Sequence, residues 1–213
     1  MIKAIFLDFS RTIVKSSGLN AGPDFVGRGD IYRNLWRDYS ARKINEEQLA
    51  ADTLRLWQGV RTADLPTIKS GLQYTAGVKE VIPVLAQYGI TSVLVSNVPS
   101  LLGRLFADEL KINFVTGAEM EVVDGAYTGV VEKMFPTKGE VVREFKMRLQ
   151  VLPEECAAVG DAYVDIEMFR EVGLGVAFTQ IRSDPEVVKA ARYVIDDFRE
   201  LIPLIDSAGR QKK

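Results

Sequence analysis

Asp8, Asp161 and Asp165 are the residues from which a chemistry can be read first. Asp8 follows the continuously apolar Ala4-Ile5-Phe6-Leu7, and Asp161 follows Cys156-Ala157-Ala158-Val159-Gly160, so each carboxylate stands where a buried strand stops. Asp165 precedes Ile166, Met168 and Phe169, an amphipathic pattern that marks the start of a helix. In an open parallel sheet, ligands lie beyond the carboxyl ends of the strands, which lets three carboxylates converge although they are far apart in sequence. Crowded carboxylates repel one another unless positive charge lies between them, and a hard divalent cation with oxygen ligands, Mg²⁺ above all, meets that need. The chain has no histidine. Ser-His-Asp and Cys-His nucleophilic systems and His-ligated metals are therefore excluded, leaving carboxylates, hydroxyls and lysines as the reactive groups.

The elements that must hold these groups follow from the hydrophobic pattern. A first strand over 2–7 ends in Asp8-Phe9-Ser10-Arg11-Thr12, and 15–23, with Gly18, Gly22 and Pro23 as breakers, reads as a linker. From 30 to 71 the apolar spacing is helical, with Asn45 as N-cap to an acidic first turn of Glu46 and Glu47. We take 15–75 as a small helical cap domain inserted between 1–14 and 76–213, with Trp36, Tyr39 and Trp57 as its own core. Gly77 to Tyr88 reads as a helix disturbed by Pro83, and ITSVLVSN as a buried strand stopping at Ser96-Asn97. A helix over 100–110 leads to a short strand over 113–116. Alternation about Asp124-Gly125 predicts a type I′ hairpin over 119–133. Lys138 opens a further helix, and strand-helix alternation continues through LGVAF and YVIDD to a closing helix and a frayed GRQKK tail. The fold class is α/β, with a mostly parallel sheet.

Composition narrows the function classes. At 213 residues the chain is long enough for one domain with a substantial insertion. A formal charge of -2 argues against a general nucleic-acid binder, which carries a basic excess. No run approaches the roughly 18 apolar residues of a membrane span, and no signal-peptide pattern opens the chain, so the expected location is cytoplasmic. Cys156 has no second cysteine to pair with and reads as a small core residue.

Four strand-end signals therefore stand in order: Asp8-Phe9-Ser10-Arg11-Thr12, Ser96-Asn97, Lys138, and Gly160-Asp161 with Asp165. Each alone has a plain structural reading, as a turn former, a cap or a solvated helix start. In this order, with the insertion after the first, they resemble the haloacid dehalogenase (HAD) superfamily of hydrolases, and in particular archaeal-type phosphoserine phosphatases. The resemblance implies a Rossmann-like three-layer core, a helical cap and Mg²⁺-dependent hydrolysis of a small phosphorylated metabolite, without nucleic acid or membrane, and it leaves room for a homodimer. It also implies roles. Asp8 would be the nucleophile that forms an aspartyl-phosphate. Asp8, the Ser10 carbonyl, Asp161 and Asp165 would hold the metal, Ser96 and Asn97 the phosphoryl oxygens, and Lys138 would balance phosphate and nucleophile.

The pattern breaks at Ser10, where such phosphatases carry a second Asp that serves as general acid and base. A hydroxyl does neither well, and losing such a group costs about 10²–10⁴ in rate. Ser17, Thr53 and Val164 stand where the family carries substrate-binding Glu and Arg and a site Asn; Arg55, two residues past Thr53, is a candidate replacement. Arg11 has two directions open to it, into the pocket or out to solvent. The leading expectation is a HAD phosphohydrolase with weakened expulsion of poor leaving groups, and the alternative is a catalytically silent relative that binds a phosphorylated ligand or a protein partner. A phospho-acceptor receiver domain uses similar groups, but in an order that fits poorly.

Overall fold

Seven strands form one sheet in the computed structural model, which describes residues 1–135 and 137–210, without the side chains of 208–210. They are β1 (Ala4–Leu7), β2 (Thr91–Pro99), β3 (Phe114–Val123), β4 (Ala126–Lys133), β5 (Cys156–Gly160), β6 (Leu174–Phe178) and β7 (Tyr193–Ile195), in the order β4-β3-β2-β1-β5-β6-β7. Only the β3–β4 pairing is antiparallel. The helices are α1 (Ala21–Phe25), α2 (Gly29–Ser40), α3 (Glu46–Arg55), α4 (Leu65–Ser70), α5 (Val78–Val81), α6 (Ser100–Leu110), α7 (Lys138–Leu149), α8 (Ile166–Glu171), α9 (Pro185–Ala190) and α10 (Leu201–Arg210). No described helix is long and apolar enough to cross a membrane.

The central strands β1, β2, β5 and β6 are buried on both faces, which is why they are almost continuously apolar, whereas β3, β4 and β7 are partly exposed. Ile5 and Leu7 of β1 face one cluster with Phe106, Ile82 and Leu201, while Ala4 and Phe6 face another with Phe145, Met168 and Phe169. This is a three-layer α/β arrangement. From β1 the chain winds outward to β2 and β3, then returns to the other side of β1 for β5, β6 and β7. The direction of winding thus reverses beside β1, and such a switch point opens a crevice at the carboxyl ends of the strands.

Several elements differ from their sequence patterns for identifiable reasons. Gly22 and Pro23 fall inside α1 rather than in a linker; Pro23 sits in the first turn, where its missing N–H is not needed, and Gly22 abuts the Trp57 ring. The predicted helix over 77–88 is a single α turn followed by a 3₁₀ stretch from Ile82 to Tyr88, as Pro83 requires. β2 does not stop at Ser96-Asn97 but continues to Pro99, with its pairing to β3 shifted between Val95 and Pro99. The short strand over 113–116 and the first hairpin strand are one element, β3. Gly117 makes this possible, since a Cβ there would lie 2.8 Å from the Val98 carbonyl oxygen. The hairpin turn has positive φ at Asp124 and Gly125, as type I′ demands. The predicted GRQKK tail lies largely outside the described residues.

The helices α1 to α4 do not form a separate core. Leu54, Trp57 and Val60 belong to the same apolar cluster as the sheet face. The hairpin is stitched to them: Gly59 N–H donates to the Tyr127 carbonyl (2.8 Å), Tyr127 N–H to Val60 (3.0 Å) and Thr62 N–H to Gly125 (2.9 Å). Trp57 is fully buried, its indole N–H donating to the Leu19 carbonyl at 2.9 Å. Trp36 and Tyr39 are only half-buried and line clefts, which corrects their expected place in a core.

Candidate active site

Sheet register brings the predicted aspartates together. Leu7 pairs with Val159, and the Asp8 N–H donates to the Val159 carbonyl at 3.0 Å, so β1 and β5 deliver Asp8 and Asp161 side by side. Asp165 follows on the 3₁₀ turn Tyr163–Asp165, where its Oδ2 accepts from the Ala162 N–H at 2.9 Å. Gly160 is required here: a Cβ would lie 2.3 Å from the Asp165 carboxyl carbon. The three aspartates are buried, and one oxygen of each lies within 4.8 Å of the others.

Lys138 enters from the first turn of α7, whose cap Thr137 accepts from the Glu140 N–H at 3.2 Å. Its Nζ donates to Asp8 Oδ1 and to Asp165 Oδ1, both at 2.6 Å. Burial opposes charge on this lysine, but the Asp165 and Asp8 carboxylates outweigh it and hold the ammonium well above its ordinary value. Asp161 and Asp165 are both raised above the usual carboxylate range, first by burial. For Asp161 the neighbouring carboxylates add to this, while for Asp165 Lys138 opposes it.

Arg11 turns inward. Its backbone is left-handed, with φ of 62°, its Nε lies 3.3 Å from Asp161 Oδ2, and its guanidinium carbon stands 5.2 Å from the centroid of the Trp36 ring. Ser10 accepts the Gly18 N–H at its hydroxyl (3.0 Å), pinning the start of the inserted segment to the end of β1. Ser96 and Asn97 line the same cavity from β2. Two buried oxygens there have no partner among the described residues: Asp8 Oδ2 and Asn97 Oδ1. Buried acceptors left bare in this way call for a ligand.

The cavity, about 340 Å³, is roofed by the inserted helices. Leu19, Tyr32, Trp36 and Leu49 line it together with Met134 and Phe135. Arg55 does not line it, contrary to expectation. α3 points its N-terminal end at the cleft, and nine residues on, about 14 Å along the axis, Arg55 is exposed and paired with Asp52. Thr53 is buried, and its hydroxyl donates to the Leu49 carbonyl at 2.6 Å. Glu46 and Trp36 were missed. In sequence Glu46 is one of two acidic residues in a first helical turn, and nothing local separates it from Glu47.

The donor set suits a hard divalent cation: three carboxylates meet, one oxygen of Asp8 is bare, and Lys138 with Arg11 leaves one negative charge uncompensated. Comparison with known proteins agrees with the geometry. The family model of haloacid dehalogenase-like hydrolases matches residues 106–200. A solved structure of a phosphoserine phosphatase with an analogue of its phospho-aspartyl intermediate superposes with a TM-score of 0.82, covering 95% of this chain and 98% of that one at 24% identity. Over residues 106–200 the chain is similar to haloacid dehalogenase-like hydrolases. Among curated relatives, the phosphoserine phosphatase of Archaeoglobus fulgidus is 27% identical over 83% of this chain, which spans only 52% of that protein. That of Methanocaldococcus jannaschii is 24% identical over 95% of this chain and 97% of its own length. Proteins so named are phosphoric monoester hydrolases.

Proposed function

We propose that this chain is a cytoplasmic, Mg²⁺-dependent phosphohydrolase acting on a small phosphorylated molecule through an aspartyl-phosphate at Asp8. The observation that carries the reading is the meeting of Asp8, Asp161 and Asp165 around a bare Asp8 oxygen, with Lys138 locked between two of them. Asp8, Asp161, Asp165 and the Ser10 carbonyl would hold Mg²⁺. When bound, the ion supplies positive charge that lets a carboxylate approach an anionic phosphoryl group.

The remaining work falls to the chain itself. Lys138 holds Asp8 oriented and carries charge toward the phosphoryl oxygens. Ser96 and Asn97 donate to those oxygens from the end of β2, and Arg11 adds a second cation, held ready over Asp161. Residues 15–75 act as a cap that keeps water from the reacting phosphorus. Phosphoserine is a poor fit: Thr53 spends its hydroxyl on the Leu49 carbonyl, Arg55 lies outside the cavity, and Leu19, Trp36, Leu49, Met134 and Phe135 give part of the lining an apolar and aromatic character beside the polar Ser17, Asn45 and Glu46. A phosphate ester with an apolar or aromatic body fits better.

Hydrolysis of an aryl phosphate and of acetyl phosphate, measured with millimolar Mg²⁺ and with chelator, tests the reading. Mg²⁺-dependent release of phosphate and binding of beryllofluoride are expected. Failure of both substrates together with no beryllofluoride uptake overturns it. Uptake without turnover favours a silent binding relative, a reading that Ser10 supports.

A further inference from the structure

Glu46 is a cleft carboxylate to which the proposed phosphohydrolase reading assigns no task. It is the first residue of α3, whose start is fixed by the Asn45 side chain accepting the Gln48 N–H at 2.8 Å. Its side chain lines the same cavity as Asp8, Ser10 and Lys138, and among the described residues it has no hydrogen bond or ion pair. A carboxylate withdrawn from water without a partner is costly when charged. Burial is the first cause, and the facing charges follow: Lys138 opposes it, while Asp165, Asp8 and Glu167 add to it, and Glu46 is pushed up to about 7. Tyr39 on α2 also feels Glu46, together with Arg182, Arg11 and Asp184. The result is a carboxyl group that holds a proton near neutral pH and releases it readily, as acid–base work requires.

Of the other carboxylates that line the cavity outside the proposed metal site, Glu47 is exposed and Glu167 is half-buried on α8. Ser10 stands two residues past the nucleophile, with a hydroxyl that accepts the Gly18 N–H and is far too weak an acid to protonate an alkoxide. Asp161 and Asp165 belong to the proposed metal site, and Asp8 to the attack on phosphorus.

We propose that Glu46, reaching down from the inserted helices, is the general acid and base of this site in place of the residue at position 10. The proposal rests on the phosphohydrolase reading. In the first step an Asp8 oxygen bonds to phosphorus as the P–O bond to the leaving group breaks, and the Glu46 carboxyl proton passes to the departing oxygen, releasing an alcohol. In the second, water attacks the phosphorus of the aspartyl-phosphate and gives a proton to the Glu46 carboxylate. Inorganic phosphate leaves, Asp8 returns as carboxylate, and Glu46 is again protonated. No further reactant is needed. The general acid is then delivered by the roof of the cavity, so acid catalysis is complete only when the roof is in place over substrate.

A series of phosphate monoesters, from nitrophenyl to simple alkyl, tests this with Mg²⁺ on wild type, Glu46→Gln, and Glu46→Gln combined with Ser10→Asp. Glu46→Gln is expected to lower kcat/KM for alkyl esters about 10²–10⁴-fold and for nitrophenyl esters much less, because a good leaving group needs little proton donation. The dependence on leaving-group acidity therefore steepens, the pH limb near 7 is lost, and Ser10→Asp restores alkyl turnover. Equal losses across the series, or a change confined to KM, overturn the assignment while leaving the phosphohydrolase reading standing. Absence of Mg²⁺-dependent hydrolysis of every ester by wild type overturns both.

Discussion

Lys138 and Asp8 lie 130 positions apart in the chain, yet the ammonium of one donates to the carboxylate of the other at 2.6 Å, with only 11% and 6% of their side chains exposed. Asp165 takes a second proton of the same ammonium at 2.6 Å. Removing one partner of a buried pair leaves the others charged and unpaired, which typically costs about 3–5 kcal/mol. Lys138→Met is therefore expected to lower the unfolding free energy by that order in urea titration of the metal-free protein, and to abolish phosphate release. Unchanged stability would mean that Lys138 does not neutralise this site.

Stability of the metal-free protein should depend on pH in the direction opposite to that of most carboxylates. Asp161 and Asp165 are raised in the folded state, so between the ordinary carboxylate value near 4 and their higher folded values the native protein binds more protons than the unfolded chain. Stability is then lost as pH rises through that window. In chelator, Tm is expected to fall from pH 5 to above 7. Added Mg²⁺ should raise it more at the alkaline end, where the carboxylates are free to bind. A chelated Tm that rises with pH would contradict the close packing of these groups.

Arg11 and a bound cation compete for Asp161, because the guanidinium already rests 3.3 Å from its Oδ2. Arg11→Gln is expected to tighten Mg²⁺ binding measured by calorimetry, and to weaken inhibition by inorganic phosphate about tenfold, the loss of one charge-assisted contact of roughly 1.4 kcal/mol. Weaker Mg²⁺ binding would place Arg11 in a supporting rather than a competing role.

Gly160→Ala tests the geometry without touching a charge. The added methyl would lie 2.3 Å from the Asp165 carboxyl carbon, so Asp165 must swing away from Lys138 and from the Ala162 N–H. Overpacking of this kind costs about 1–3 kcal/mol, and Mg²⁺ affinity should fall along with stability. Retention of Mg²⁺ affinity would show that Asp165 takes no part in holding the ion.

Cys156 should report global unfolding. It is fully buried in β5, and burial pushes its thiol up to about 11, so little thiolate exists at neutral pH. Alkylation by iodoacetamide is expected to be slow in the folded protein and to accelerate in urea along the unfolding curve; rapid labelling of the native chain would count against this burial.

Sequence alone determined the central strands β1, β5 and β6, because a strand buried on both faces must be continuously apolar, and it determined Asp8 and Asp161 at the ends of β1 and β5, because polarity returns where burial stops. It also marked α3 through its Asn45 cap, α6 from Ser100 to Leu110, and the hairpin through Asp124-Gly125, all signals carried by adjacent residues. Tertiary structure decided what lies between distant segments. That β1 runs beside β5, so that Asp8 meets Asp161, is a consequence of strand order; that α3 offers Glu46 rather than Arg55 to the cleft depends on how the whole helix is docked. Arg11 had two directions open to it until Asp161 and Trp36 supplied a charge and a ring on one side. The physical reason is the same in each case: local pattern records which face of an element is buried, whereas the partner it is buried against is set by packing among segments up to 150 residues apart.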